Sequence, residues 1–237
     1  MKGLVLKDLY SVRLQIFLSV LTMILPNIAF TFLIGEEGVG LGEAETVFMV
    51  FFFGLLNYIN ICLFSSFMLN TLDSDVNCGW SRIVRTFPVS GNTMVMAKFA
   101  ATGLVLAILT GISLIFNIVG SFVNSLPLEP LIAIPVCIGF LQAAVLFPIF
   151  PFAMAHGTKC TSALYIVVEI LMVSLAAFGI INIMKLEDWG IILRCVFYAG
   201  SVILAAVSAV ISVASGKKSV RAGIKFKIKT KTKIRTE

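Results

Sequence analysis

Long uninterrupted apolar runs alternate with short polar breaks along this chain. A window of about 20 residues, the length that carries a helix through a bilayer core of roughly 30 Å, isolates six runs. They are Leu14 to Ile34, Val47 to Leu69, Phe99 to Val123, Leu131 to Ala155, Ser162 to Met184 and Ile191 to Ala214. None has the apolar–polar alternation and frequent turns of an outer-membrane barrel. Backbone amides in hydrocarbon have no water to bond, so these runs are expected as helices. The pattern predicts an all-α integral membrane protein with six transmembrane helices. A short amphipathic interfacial helix over 1–13 precedes a transmembrane domain over 14–214, which contains a longer cytoplasmic loop at about 71–98, and a basic tail follows over 215–237.

Composition agrees with the bilayer as solvent. Hydrophobic residues make up 59% of the 237 and charged residues 13%, against about 25% charged in soluble domains, too few to cover a water-facing surface. The net charge of +6 matters less than its distribution. Lys2, Lys7, Arg13, Arg82, Arg85, Lys98, Lys159 and the tail from Lys217 to Arg235 fall on one side of the spans, and only Lys185 and Arg194 on the other. Glu36, Glu37, Glu43, Glu45, Glu129, Glu187 and Asp188 gather on that other side. The positive-inside rule then predicts cytoplasmic N- and C-termini. The first ten residues lead into a full-length span with no small-residue cleavage site, unlike a removable signal peptide. Cys62, Cys78, Cys137, Cys160 and Cys195 show no CxxC spacing and mostly lie in apolar runs, and are read as reduced and structural. The first three spans show no visible repeat of the last three, so an inverted-repeat transporter gains no support.

Catalytic chemistry is hard to find. His156 is the single histidine, and no HExxH or nucleophile-turn serine is present. Ser215-Gly216-Lys217-Lys218-Ser219 lacks the earlier glycine and the Gly-Lys-Ser/Thr order of a phosphate loop. The chain is therefore expected to be no enzyme, with no metal site and no cofactor of its own.

The loop between the second and third spans is more informative. Trp80, Ile83, Val84 and Phe87 fall at i, i+3, i+4 and i+7 and form one apolar stripe, with Arg82 and Arg85 on its flank. Ser74 or Asp75 offers an N-cap, and Pro88 forces Phe87 out of the helical region. A short helix along the cytoplasmic interface is predicted, and anchoring the loop at headgroup level would be role enough for it.

A helix with Trp80 and Arg82, followed by Phe87-Pro88-Val89-Ser90 and then Lys98-Phe99, resembles the loop of the type-2 exporter class of ATP-binding cassette permeases. The opening Met1-Lys2-Gly3-Leu4-Val5-Leu6-Lys7-Asp8-Leu9-Tyr10 is similar to the amphipathic start of small bacterial members. Gly91 and Asn92 stand where members often carry a basic residue, so no role of that residue transfers. The resemblance implies a multi-pass protein of the bacterial cytoplasmic membrane that acts as the permease subunit of an ATP-driven exporter. It would pair with a second permease chain, as homodimer or heterodimer, and with a separate ATPase subunit that binds ATP and magnesium. It also makes the loop helix a coupling helix and 1–13 a connecting helix. Trp80, Arg82, Ile83, Val84, Arg85, Phe87 and Pro88 would dock on the ATPase, with large apolar anchors dominating the affinity and arginines meeting acidic groups. Peptides, antimicrobials or lipid-like compounds are the substrates it suggests.

Polar residues within the spans have two readings. Ser113, Asn117, Gly120, Ser121 and Asn124 recur every three or four residues on the third span, and Asn57 and Asn60 lie on the second. They either line a translocation path or bond neighbouring helices. Glu169 is the one acid well inside a predicted span, and must be protonated, paired or facing a wet cavity. Its position a few residues from the predicted cytoplasmic end would let it snorkel. Pro148 and Pro151 are expected to kink or end the fourth span. In the tail, Lys225, Lys227, Lys229, Lys231 and Lys233 alternate with other residues and are expected to meet anionic lipid headgroups rather than nucleic acid. Two rival functions stand beside the exporter: an immunity or interaction protein that transports nothing, and an ion-coupled transporter using Glu169.

Overall fold

The computed structural model describes residues 2–35, 43–77, 90–156, 163–170 and 198–215, and helices account for nearly all of them. Helices α1 (Lys2–Ser11) and α2 (Arg13–Gly35) meet at Val12 with a bend of 51°. The bend is held by the Val12 amide, which donates to the Leu9 carbonyl at 3.3 Å, and by the Ser11 hydroxyl, which donates to the Asp8 carbonyl at 2.7 Å. Arg13 closes its outer side by stacking 4.0 Å from the Tyr10 ring centroid. Helix α1 turns Val5 and Leu9 to the core yet buries the acid Asp8 and exposes Leu6 and Tyr10. Its inward face is thus a mixed one, and its burial depends on a partner for Asp8. On α2, Phe17, Leu21, Leu25 and Ile28 form an exposed stripe at helical spacing, suited to hydrocarbon.

Helix α3 (Glu43–Tyr58) passes through a π-helical turn (Ile59–Leu63) into α4 (Phe64–Asn77). Helix α5 (Gly91–Asn124) starts at an N-cap, where the Ser90 hydroxyl accepts from the Thr93 amide at 3.2 Å. It ends at Ser125 in the left-handed conformation (φ 52°), with the Ser125 and Leu126 amides both returning to the Ser121 carbonyl. That turn leads directly into α6 (Leu128–His156). Beyond it, α7 covers 163–170 and α8 covers Tyr198–Ser215.

Four stretches among the described residues are long and apolar enough to cross a membrane: Phe48–Leu72, Asn92–Asn124, Leu128–Ala153 and Tyr198–Ser215. The bent α1–α2 pair is a fifth candidate. Of the expected span Ser162 to Met184, only 163–170 is described.

Helices α5 and α6 form the spine. Phe99 packs edge-on against Phe147 and Phe150, with centroids 5.6 and 6.1 Å apart. Gly139 allows the two backbones to close up, since a Cβ there would lie 2.5 Å from Thr110 Oγ1. Pro148 and Pro151, expected to kink or end the span, do not end α6, which runs unbroken through Pro135 and both of them. A proline amide cannot bond the carbonyl four residues earlier, so Pro135 releases Leu131 and Pro148 releases Ala144. Both carbonyls find new donors on neighbouring helices: the Asn117 amide on Leu131 at 2.7 Å and the Ser208 hydroxyl on Ala144 at 2.8 Å. Such rescue is how proline is tolerated in membrane helices. Cys62 and Cys137 are free and buried.

Candidate functional site

At the end of the bundle where α4 stops and α5 begins, four charges from three helices come together. Lys98 on α5 lies 2.8 Å from Asp8 on α1 and 2.7 Å from Asp75 on α4. Lys7 bonds Asp75 and lies 3.7 Å from Asp8. Two cations and two anions balance, and the Asp8 side chain is only 2% exposed. Buried ions hold only as a complete set: removing one partner of a buried pair typically costs about 3–5 kcal/mol. The cluster therefore ties α1 to both flanks of the 78–89 segment. Neither flank can shift without dragging α1 or breaking a buried ion contact.

Deeper in the bundle the π-helical turn meets the polar residues of α5. Asn60 donates to Ser113 at 2.7 Å, and Asn117 caps the Leu131 carbonyl released by Pro135. Asn57 and Asn124 donate to carbonyls one turn back, Phe53 and Gly120, and Ser121 donates to Leu126 at 2.7 Å. All six are buried, and the side-chain donors of Asn57, Asn60, Asn117, Ser121 and Asn124 bond partners within this chain.

A second polar group surrounds the π-helical turn. The wider turn leaves the Cys62 carbonyl open to side chains, and the hydroxyls of Ser65 and Tyr165 both donate to it at 3.2 Å. Gln142 on α6 donates to Tyr165 Oη at 2.7 Å and to Ser65 at 3.0 Å. One turn further along α7, the Tyr58 hydroxyl donates to Glu169 Oε2 at 2.6 Å, and Oε1 is shielded with no partner. Of the readings open to Glu169, this is a bond to a neighbouring helix. Tyr58 stands near the middle of the Phe48–Leu72 stretch, roughly 25 Å along the helix axis from Asp75 at 1.5 Å per residue. A charge at bilayer centre costs about 2.5–3.5 kcal/mol even on the mildest scales. One turn before Glu169 on α7, Tyr165 packs level with the π-helical turn and with Gln142 on α6.

The arrangement is that of a membrane bundle with a charged clamp at one end and no catalytic constellation among the described residues. Against it, the family model for ABC-2 family transporter proteins matches residues 3–215. The chain belongs to this family. No curated protein and no solved structure matches it significantly. Membership makes the chain a multi-pass permease of an ABC transporter, with an ABC ATPase as the partner the family implies.

The permease residues expected to dock on that partner, Trp80, Arg82, Ile83, Val84, Arg85, Phe87 and Pro88, lie outside the described residues, as do tail Lys225, Lys227, Lys229, Lys231 and Lys233. The frame on either side of the loop is described, and it holds what sequence reasoning missed. The sequence offers Asp75 as a cap and Lys98 as the end of the loop, whereas both belong to the clamp with Lys7 and Asp8. The available signal was a set of opposite charges at the ends of three apolar segments, which chain order separates widely. Tyr58, Tyr165 and Gln142 were missed beside Glu169. Their signal was weaker: polar residues on different helices, in register only because of the π-helical turn.

Proposed function

We propose that the chain is the transmembrane subunit of an ATP-driven exporter, paired with a second permease chain and moving an amphipathic or hydrophobic substrate. The observation that carries this reading, beyond family membership, is the Lys7–Asp8–Asp75–Lys98 clamp. In this account 78–89 is the coupling helix and α1 the connecting helix, both at the cytoplasmic face with the two termini. The ATPase subunits bind ATP and magnesium and hydrolyse it, while this chain performs no catalysis. When they close, the push on 78–89 enters α4 and α5 together and, through the clamp, swings α1 about its bend, switching the bundle between inward- and outward-facing states. The basic tail rests on anionic headgroups.

In this reading ATP rather than an ion gradient supplies the energy, and Glu169 has another role than ion coupling. A mute interaction protein would have no use for a rigid link across the loop. The docking variant tests the proposal: Trp80→Ala with Phe87→Ala is expected to leave the chain folded in the membrane and to remove both the bound ATPase and substrate-stimulated hydrolysis. Full stimulation in that variant would refute the assignment of the loop.

A further inference from the structure

We propose that Glu169 forms a mid-membrane recognition site for a cationic amphiphile, a molecule with an ammonium or guanidinium group on an apolar body. The inference rests on the permease reading and names the substrate class.

Glu169 Oε2 is engaged by Tyr58 at 2.6 Å, whereas Oε1 meets no donor. Protonation does not change this. In the neutral acid the Oε2 hydrogen donates to Tyr58 Oη, and the Tyr58 hydrogen turns to the Glu169 carbonyl at 3.4 Å, leaving Oε1 as before. In the ionised form Tyr58 donates to Oε2, and Oε1 carries charge with nothing to balance it. The described neighbours are all neutral: the Tyr165 hydroxyl donates to Cys62 O, the Gln142 amide nitrogen donates to Tyr165 and Ser65, and the Cys62 thiol beside the acid is a weak donor without charge. The four charges of the cytoplasmic clamp bond one another. Among the described residues no cation reaches Glu169, and a cationic ligand answers both the hydrogen bond and the charge.

The surroundings match the rest of such a ligand. Leu55, one turn before Tyr58, is 43% exposed and Ile166, one turn before Glu169, is 58% exposed, so the acid is flanked by open apolar side chains on both helices. An amphiphile dissolved in the bilayer reaches this depth with its apolar part already solvated. The π-helical turn adjoining Tyr58 supplies a place where small shifts in helix register would open or close access to Oε1, a common use of such turns.

The test uses the full-length chain alone in lipid nanodiscs, so that it does not depend on the ATPase. Binding of radiolabelled dodecylammonium at submicellar concentration is measured, with dodecanol as uncharged competitor of the same length. Saturable binding is expected in the wild type, at least tenfold weaker in Glu169→Gln, and insensitive to dodecanol. Equal binding by a folded Glu169→Gln, absence of a saturable component in the wild type, or competition by dodecanol as strong as by dodecylammonium would each overturn the proposal. The dodecanol comparison needs no variant and decides the matter even if Glu169→Gln fails to fold. Absence of an ATPase partner would instead contradict the permease reading while leaving cation binding intact.

Discussion

Asp8 sits on the N-terminal helix almost wholly out of solvent, and its carboxylate is tolerable there because Lys98 lies 2.8 Å away. Asp8→Asn leaves two lysines facing Asp75 alone. A loss of about 3 kcal/mol is expected, read as a lower thermal midpoint of the purified chain, and the Asp8→Lys/Lys98→Asp exchange should recover part of it; an unchanged midpoint in Asp8→Asn would show the cluster to be inert. Asn117 makes a sharper case. Its amide replaces the donor that Pro135 lacks, so Asn117→Leu should cost about 1–3 kcal/mol by orphaning the Leu131 carbonyl. Adding Pro135→Ala restores a backbone donor, and the double variant should be more stable than Asn117→Leu, whereas additive losses in a thermal-unfolding cycle would contradict the pairing. The sequence displayed Asn117 and Pro135 plainly but not that one serves the other, because they lie on different helices and meet through tertiary packing. Glu169 was legible as an anomaly for the opposite reason: a lone acid in an apolar run stands out whatever it touches.

At the scale of elements, hydropathy was a good guide wherever hydrocarbon alone shapes the helix. Leu14 to Ile34 falls within α2, and Val47 to Leu69 within the α3–α4 line. What hydropathy does not encode is the path of the backbone. The bend at Val12, the π-helical turn at Ile59–Leu63 and the survival of α6 through three prolines depend on side chains bonding freed or neighbouring backbone groups. Close packing is similarly hidden. Gly120 recurs with the polar residues of its span, but its neighbours give the reason for it: a Cβ would meet Asn27 Oδ1 at 2.8 Å and the Phe53 ring at 3.2 Å. Gly120→Val should force α2 and α3 away from α5, with a cost of about 1–3 kcal/mol. A thermal midpoint equal to wild type would mean that these three helices yield more easily than their contacts suggest.

For the whole molecule, the two polar features lie at opposite ends of one mechanical argument. The clamp joins α1, α4 and α5 beside the loop assigned to the ATPase, and the Glu169 group joins α3, α6 and α7 near the middle of the bilayer. The α3–α4 line, with the π-helical turn between its halves, connects them. Force applied at the loop therefore reaches the proposed recognition site along one continuous helix. Everything in this account depends on an ATPase acting at the clamped end. The direct test is to purify the permease from its own cells in mild detergent, identify the co-purifying chains by mass spectrometry and assay the preparation for ATP hydrolysis. A stoichiometric nucleotide-binding subunit with ATPase activity, lost when Trp80 and Phe87 are both changed to Ala, is the predicted result. A preparation of intact permease with no such subunit and no hydrolysis would contradict the account.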